Sequence, residues 1–290
     1  MAQVGLLYTR IRQEERMLLD AARDRGVGVL PLHAAEVVLD LDGGGLQGDV
    51  LLARSVSGTR GLYVLRAARA AGLPAVNAYD TAAVCIDKTE TSLRLRRAGV
   101  PTPDCRIAFD MESALRALDE LGYPAVLKPT LGSWARLVAR VDSREQAEQI
   151  LEHRDALPNP LQQVYYAQQY IDKNHRVDDE GRPIHRDLRA FVVGERTVAA
   201  VWRVSPHWVT NTARGARTEN QPVTDEIDEL CLRAAAAVGG GVLAIDLMEG
   251  PDGLLVHEVN HTMEFRNSVA PTGVDIPGLV IEHAVQEARR

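Results

Sequence analysis

Two acidic residues and an amide lie within strongly apolar sequence near the C-terminal end of the chain. Asp246 falls inside the apolar run 242–248. Glu258 falls inside the run 254–259, and Asn260 directly follows that run. Runs of this length and composition are typical of buried strands. Burying charged groups is unfavourable unless they bind a partner. The three side chains are therefore the first candidates for a functional site.

The spacing predicts that these side chains share one face of a hairpin. The sequence GPDG between the runs favours a tight turn. Side chains alternate between the two faces of a strand. If Gly250 pairs with Leu254, Asp246 lies directly opposite Glu258, and Asn260 follows on the same face. A register shifted by two residues keeps the three together, whereas a shift by one separates them.

Two carboxylates that oppose each other on neighbouring strands repel unless a cation lies between them. Carboxylate and amide oxygens are the ligands that Mg²⁺ or Mn²⁺ takes, and Mg²⁺ commonly completes its shell with water and substrate phosphates. The pattern therefore favours a divalent metal site. A structural network in which Asp246 and Glu258 pair with arginines is the alternative.

Composition narrows the class of protein. The chain has 290 residues, of which 46% are hydrophobic and 25% charged, so we expect a globular protein of two or three domains. It has no apolar run of roughly 18 residues, and its first residues do not resemble a secretory signal, so we expect neither a membrane protein nor a secreted one. The net charge of −7 argues against binding nucleic acid. Three cysteines without a CxxC motif predict no disulfide or zinc site and a cytoplasmic location.

Strands and helices alternate over residues 1–84, which predicts a small α/β domain with a mostly parallel sheet. A single helix is expected over residues 81–98, carrying Asp87 and Lys88. Lys128 ends an apolar strand and is followed by a small-residue turn that begins at Gly132. Such a turn can hold phosphates with backbone N–H groups and one ammonium group, although a surface hairpin has the same pattern. Residues 172–185 are polar and are expected to form a mobile loop or a β-turn insertion.

Five segments resemble those of one family of ligases. They are GSWARL (132–137), DLRAFVVGER (187–196), HWVTNTARG (207–215), GGGVLAIDL (239–247) and HEVNHTMEFRNSV (257–269). In these segments the chain resembles the RimK-like ligases of the ATP-grasp superfamily, and among them the LysX subfamily. The resemblance implies an α/β architecture: an N-terminal Rossmann-like pre-ATP-grasp domain (1–84), a central ATP-grasp lobe (85–170) and a C-terminal lobe (171–290).

The resemblance also implies roles for particular residues. Those that would contact ATP are Lys88, Lys128, Gly132, Ser133, Trp134, Ala135, Arg136, Leu137, Gln168, Gln169, Tyr170, Ile171, Arg189, Arg203 and Asn211. Lys128 and Arg203 would stabilise the transferring phosphoryl group, and Asp246, Glu258 and Asn260 would bind Mg²⁺ or Mn²⁺. The residues that would read the substrates are Arg189, Arg214, His261, Thr262, Glu264, Phe265 and Asn267.

The chain departs from the family pattern at three places. Ala135 stands where glycine is usual, which restricts the backbone if that position needs a positive φ. Gln169 replaces a glutamate of the adenine hinge. The segment 174–185 is longer than expected, which would affect the mobility of a lid.

The implied reaction is the ATP-dependent joining of the α-amino group of α-aminoadipate to the C-terminal glutamate of a small acidic carrier protein, LysW, through an acylphosphate, in lysine biosynthesis. We expect Arg54, Arg60 and Arg214 to form a basic surface for this carrier. Family members are commonly tetramers, which implies a homo-oligomer. Three alternatives stay open: a glutamate ligase that uses the same carrier, a ligase that adds glutamate to a ribosomal protein, and a non-catalytic nucleotide-binding protein.

Overall fold

The computed structural model describes residues 2–41, 44–132, 136–177 and 180–290. Three β-sheets organise these residues. The first sheet is parallel, with strand order β2-β1-β3-β4, and it confirms the α/β unit expected at the N-terminal end. Its elements are β1 (Gln3–Tyr8), α1 (Gln13–Asp24), β2 (Gly28–His33), β3 (Val50–Arg54), α2 (Gly58–Ala70) and β4 (Ala75–Val76).

Two helices, α3 (Tyr79–Ile86) and α4 (Lys88–Arg97), occupy the segment that was expected to form one helix. The prediction of a continuous helix was wrong because Asp87 has extended backbone and caps the second helix. Its carboxylate accepts hydrogen bonds from the backbone N–H groups of Thr89 (2.8 Å) and Glu90 (3.3 Å). The break places Lys88 at the first turn of α4, where its N–H donates to Thr130 O.

The second sheet is antiparallel, with strand order β5-β8-β6-β7. Its elements are β5 (Cys105–Ala108), α5 (Met111–Leu121), β6 (Ala125–Pro129), β7 (Ala139–Val141), α6 (Arg144–Asp155) and β8 (Tyr165–Gln169). The two helices cover one face of this sheet, where Leu118, Leu127 and Leu151 are almost fully buried. The sheet thus holds Lys128 on β6 and Gln168 on β8 side by side.

The third sheet is also antiparallel, with the path β12-β11-β10-β13-β14 and β9 paired to β10. Its elements are β9 (Asn174–Val177), β10 (Pro183–Val193), β11 (Arg196–Ser205), β12 (Arg217–Gln221), α7 (Asp225–Val238), β13 (Val242–Gly250), β14 (Gly253–Asn260), α8 (Arg266–Thr272) and α9 (Ile276–Glu287). The segment 172–185, expected to form a mobile loop or a β-turn insertion, contributes strand β9 and the first residues of β10, and these two strands pair with each other. Residues 178 and 179 lie outside the described part.

The two faces of the third sheet have different neighbours. Leu243 and Ile245 pack against α7, whereas Val242 and Ala244 pack toward α9 and the N-terminal domain. Asp246 continues the second of these faces, because side chains alternate along β13. Asp246 therefore lies where the apolar packing against the N-terminal domain ends and a cavity begins.

Asn77 joins the N-terminal domain to the start of β13 and to the residue that follows β14. Its amide donates to Val242 O (2.7 Å) and His261 O (2.6 Å), and its oxygen accepts from Val242 N (2.5 Å). Gly241 lies so close that a Cβ atom there would be 2.2 Å from the Asn77 oxygen. Gly241 thus leaves room for the Asn77 side chain, and the hydrogen bonds of Asn77 to Val242 fix the start of β13.

No helix in the described ranges combines the length and the apolar composition that crossing a membrane requires.

Candidate active site

A cavity of about 750 Å³ is lined by residues of the second and third sheets and by loop and helix residues of the N-terminal domain. Most of the residues singled out from the sequence line it. They are Lys88, Lys128, Gly132, Arg136, Gln168, Gln169, Tyr170, Ile171, Arg189, Arg203, Asn211, Asp246, Glu258, Asn260, His261, Thr262 and Glu264. Leu137, Arg214, Phe265 and Asn267 do not line it, and Ser133, Trp134 and Ala135 lie outside the described residues.

The acidic hairpin has the predicted pairing, reached by a different route. The turn pairs Gly250 with Gly253, one residue away from the predicted partner Leu254. That register alone would separate the acids. A bulge at His257 inserts one extra residue into β14, so that Asp246 lies opposite Glu258 as predicted.

Asp246 is 2% exposed and is held by two arginines. Arg189 Nε donates to Oδ1 (2.7 Å) and Arg189 Nη2 donates to Oδ2 (2.8 Å), while Arg203 Nη2 lies 3.2 Å from Oδ2. The Asn260 amide donates to the same Oδ2 (3.4 Å). Burial would raise the pKa of Asp246, but the two guanidinium groups lower it to about 2. The carboxylate is therefore ionised at every physiological pH.

Glu258 is held more loosely. Its carboxylate lies 3.4 Å from Lys88 Nζ, a long distance for an ion pair, and its side chain is 29% exposed. Burial raises the pKa of Glu258 and the Asp246 charge acts in the same direction, but Lys88, His257 and Lys128 outweigh them and the net pKa is lowered.

These residues fit a divalent ion. Ligand atoms of Asp246, His257 and Glu258 all lie within 4.8 Å of one another. Asp246 Oδ1 accepts only one of the hydrogen bonds described above, so it retains a lone pair. The arginine network that the sequence left open as an alternative is also present at Asp246, while the cation nearest Glu258 is a lysine.

Asp187 is a site residue that the sequence analysis missed. It is 1% exposed and accepts hydrogen bonds from Arg203 Nε (2.7 Å) and Nη2 (2.9 Å), Lys173 Nζ (2.9 Å) and Thr210 Oγ1 (2.5 Å). Burial opposes ionisation, yet Arg203 and Lys173 drive the pKa of Asp187 well below its usual range. Alternation along β10 could have revealed it, because Asp187 shares a face with Arg189.

Arg203 links the two buried acids. Burial alone would lower its pKa, but Asp187 and Asp246 raise it above the ordinary value. Every contact named above uses Nε or Nη2 of Arg203, and the same is true of Arg189. Both arginines are therefore fixed in orientation without using Nη1 in these contacts.

Lys128 is 7% exposed and its partners are neutral. Its ammonium donates to Gln168 Oε1 (2.6 Å) and lies 3.4 Å from His257 Nδ1. Burial lowers the pKa of Lys128 to about 8, with Glu258 acting in the opposite direction and Lys88 in the same one. Lys88 Nζ donates to Gly132 O (2.7 Å), at the start of the loop whose next three residues are not described.

The segment expected to hold adenine follows strand β8. Gln168 is buried beside Lys128, whereas the Gln169 side chain is exposed and its Oε1 accepts from Asp104 N (3.3 Å). Tyr170 lies edge-on to Trp208 at 6.3 Å and against the guanidinium group of Arg140. Gln168, Gln169, Tyr170, Ile171 and Trp208 all line the cavity.

Of the residues expected to read the substrates, His261, Thr262 and Glu264 line the cavity. Arg12, from the N-terminal domain, pairs with Glu264 at 2.7 Å. Phe265 is fully buried in the core beneath Arg54, so its side chain does not face the cavity. Asn267 lies by a separate small pocket, and Arg214 is exposed.

The expectation that Arg54 forms a basic surface was wrong. It is 4% exposed, donates to Met263 O (2.7 Å) and pairs with Glu15 (3.1 Å), which is itself fully buried. Arg54 therefore joins the N-terminal domain to the segment after β14. Arg60 and Arg214 are exposed, as that expectation requires.

Comparison with known proteins agrees with this geometry. Residues 85–284 match the RimK-like ATP-grasp domain, and residues 4–84 match the LysX preATP-grasp domain. The α-aminoadipate–LysW ligase LysX of Saccharolobus solfataricus is 31% identical over 96% of this chain and 99% of its own. The glutamate–LysW ligase ArgX of Sulfurisphaera tokodaii is 31% identical over 97% of each chain.

A solved RimK-domain ATP-grasp protein from Sphaerobacter thermophilus superposes with a TM-score of 0.81 at 26% identity, covering 98% of this chain and all of that one. The ATP-grasp ligases as a group use ATP and divalent metal ions. The chain therefore belongs to the RimK-like ATP-grasp family and is an ATP-dependent carboxylate–amine ligase.

Proposed function

We propose that this ligase joins the α-amino group of α-aminoadipate to the C-terminal glutamate carboxylate of a small acidic carrier protein of the LysW type. The observation that carries the proposal is that cationic side chains and acidic candidate metal ligands lie together in one cavity. Glu258 lies between Lys88 and Asp246, with the buried Lys128 close by. These charged side chains suit a site that binds the polyphosphate of ATP next to an acyl group. The LysX relative supports the choice of carrier and amino acid.

In the first step, an oxygen of the carrier carboxylate attacks the γ-phosphorus of ATP. A phosphorus–oxygen bond forms and the bond to the β-phosphate oxygen breaks, giving an acylphosphate and ADP. Lys88 and Lys128 would bind the phosphates, and Arg203 would face the transferring group. Their positive charge favours the charge that spreads over the phosphoryl oxygens.

A divalent ion held by Asp246, Glu258 and Asn260 would neutralise phosphate charge when bound.

In the second step, the amine of the amino acid attacks the acyl carbon. An amide bond forms, the bond from carbon to the phosphate oxygen breaks, and the amine gives up a proton. The reaction needs no protein nucleophile, so the contribution of the chain is to position the reactants and exclude water. His261 lines the cavity, while His207 accepts a hydrogen bond from Val209 N and holds a turn.

Glutamate is the second candidate amino acid. The ArgX relative, a glutamate–LysW ligase, has the same identity to this chain as the LysX relative. Both amino acids carry a side-chain carboxylate and differ by one methylene group. A pocket distinguishes such a pair by only about 1–3 kcal/mol. The preference must therefore be measured with both compounds in competition.

To test the proposal, the protein is incubated with ATP, Mg²⁺, a purified LysW-type carrier and each amino acid. The mass of the carrier is then measured by mass spectrometry. We expect the carrier to gain the mass of one α-aminoadipate residue, with one ADP formed per carrier. A carrier whose C-terminal glutamate is removed is the control and should stay unmodified. A gain of glutamate in a mixture of both amino acids would replace the proposed substrate. An unmodified carrier with either amino acid would reject the proposed partner.

A further inference from the structure

We propose that His257 is a metal ligand of this ligase, and that its nitrogen shifts the preference of the site toward Mn²⁺ or Co²⁺ compared with a site of oxygen ligands alone. The role concerns the metal and the nucleotide, so it does not depend on the identity of the carrier or the amino acid.

Backbone geometry turns His257 toward the acids. In a regular strand, neighbours point to opposite faces, so a residue next to Glu258 would face away from it. The bulge between the pairs Asp246–Glu258 and Leu247–Val256 leaves His257 without a partner on β13. A bulge redirects the side chain of its extra residue and is frequent beside active sites. The same irregularity that restores the pairing of the acids thus brings the imidazole to their side.

The distances suit one shared ion. A nitrogen of His257 and carboxylate oxygens of Asp246 and Glu258 lie within 4.8 Å of one another. Three atoms at the corners of a triangle with sides of 4.8 Å lie about 2.8 Å from its centre. Ligand atoms lie about 2.1–2.2 Å from such an ion, so side-chain movements of less than about 1 Å bring all three atoms to bonding distance. Imidazole nitrogen binds Mn²⁺, Co²⁺ or Zn²⁺ more readily than it binds Mg²⁺, which prefers oxygen.

A purely structural role for His257 would be to accept a hydrogen bond from Lys128. Nδ1 lies 3.4 Å from Lys128 Nζ, beyond the usual range for such a bond. Lys128 already donates to Gln168 Oε1 at 2.6 Å, so it does not depend on the histidine. A neutral imidazole has one nitrogen with an available lone pair, so it cannot bind a metal and accept from an ammonium at the same time, and experiment can separate the two roles.

The test is pulsed electron paramagnetic resonance of the full-length protein with Mn²⁺ and β,γ-methylene ATP, an analogue without a bridging nitrogen. Protein grown with ¹⁵N-histidine is compared with unlabelled protein. We expect a nitrogen coupling to Mn²⁺ that changes from ¹⁴N to ¹⁵N on labelling and disappears in His257→Gln. His283→Gln, on α9 and away from the cavity, should keep the coupling.

The second measurement is the affinity of the same nucleotide complex for each ion by competition titration. In His257→Gln we expect Mn²⁺ affinity to fall about tenfold, with a much smaller change for Mg²⁺. A histidine coupling absent from the labelled wild-type protein would overturn the proposal, whether or not any variant folds. An equal loss of affinity with both ions would also overturn it and would assign His257 to Lys128. Neither readout requires carrier or amino acid, so a failure of the proposed substrates leaves this test intact.

Discussion

Buried cationic side chains have different partners at the two ends of the cavity. On the third sheet, called the C-terminal sheet below, Arg189 and Arg203 are bound to the buried carboxylates of Asp187 and Asp246. On the second sheet, called the central sheet below, the ammonium group of Lys128 contacts a neutral amide and a histidine ring. Accordingly the pKa of Arg203 is raised above its ordinary value, whereas burial lowers the pKa of Lys128 to about 8.

This difference in partners indicates that the arginines position the site and that the lysine binds substrate. The arginines are fixed by ion pairs, so their geometry does not depend on substrate, but their charge is largely compensated. Lys128 makes its described hydrogen bonds to neutral groups, so its desolvation is offset only in part, by the charge of Glu258, and this has a cost to stability. A polyanion would offset that cost on binding. We therefore expect the central sheet to determine affinity for the triphosphate, and the C-terminal sheet to determine the fold of the site and the rate of reaction.

The largest effect is expected from Asp246→Ala, which removes the carboxylate that both arginines share. Breaking such a buried pair takes from Arg189 the carboxylate that binds it, while Arg203 keeps Asp187, and costs about 3–5 kcal/mol. We expect ADP formation to fall by at least about a thousandfold, since a proposed metal ligand is lost as well. The control is Glu249→Ala on the same hairpin, which breaks the 2.8 Å pair with the partly exposed Arg186. Equal activity in the two variants would contradict the assignment.

The next effect distinguishes the two ends directly. Lys128→Met removes a buried charge that is only partly compensated, so we expect the melting temperature to stay the same or rise while the Kd for ATP rises about a hundredfold. Arg203→Met leaves Asp187 without its main partner, so the melting temperature should fall. Calorimetry and nucleotide titration measure both quantities. A Lys128→Met variant as destabilised as Arg203→Met would remove the distinction.

A smaller effect concerns acid stability. The pKa of Asp187 is lower in the folded chain than its unfolded value of about 3.9. Its contribution to stability is therefore complete above the unfolded pKa and is lost as the pH falls toward the folded one. We expect Asp187→Asn to be less stable than wild type at pH 6, with a shallower loss between about pH 4 and pH 2. Denaturant unfolding across this range measures the slope, and parallel curves for the two proteins would contradict the prediction.

The smallest effect lies outside the cavity, at the exposed Arg60 and Arg214. If they attract an acidic carrier, changing either to alanine should weaken carrier binding by about two- to fivefold at low salt, because single exposed ion pairs contribute little. The difference from wild type should shrink as salt is added. Titrations at two ionic strengths measure this. Loss of binding that is independent of salt would point to packing instead of charge.

How much of the site the sequence predicts depends on the range of the interactions. The pairing of Asp246 with Glu258 was predicted from alternation along two strands, yet the turn register was wrong and only the bulge at His257 restored the pairing. Nothing local in the sequence marks that bulge. Asp187 was missed although the same alternation places it beside Arg189, because its partners Lys173 and Thr210 come from other segments.

The remaining errors have the same origin. Arg54 ends an apolar strand, which resembles a ligand-binding edge, but it contacts Glu15 on α1 and Met263 after β14. The helix expected over residues 81–98 breaks at Asp87, which pairs with Leu131, a residue distant in the sequence. Short-range patterns thus predicted most of the elements and the facing acids Asp246 and Glu258. The family resemblance supplied many of the other predicted residues that line the cavity. Contacts between segments distant in the sequence decided which charged side chains are exposed.

The most direct test is a crystal structure of the protein with β,γ-methylene ATP and Mn²⁺, using anomalous scattering to locate the ion. We predict one peak within about 2.3 Å of carboxylate oxygens of Asp246 and Glu258, with phosphate oxygens in hydrogen-bonding distance of Lys88 and Lys128. An ion bound to the phosphates alone, or a triphosphate remote from both lysines, would contradict the account.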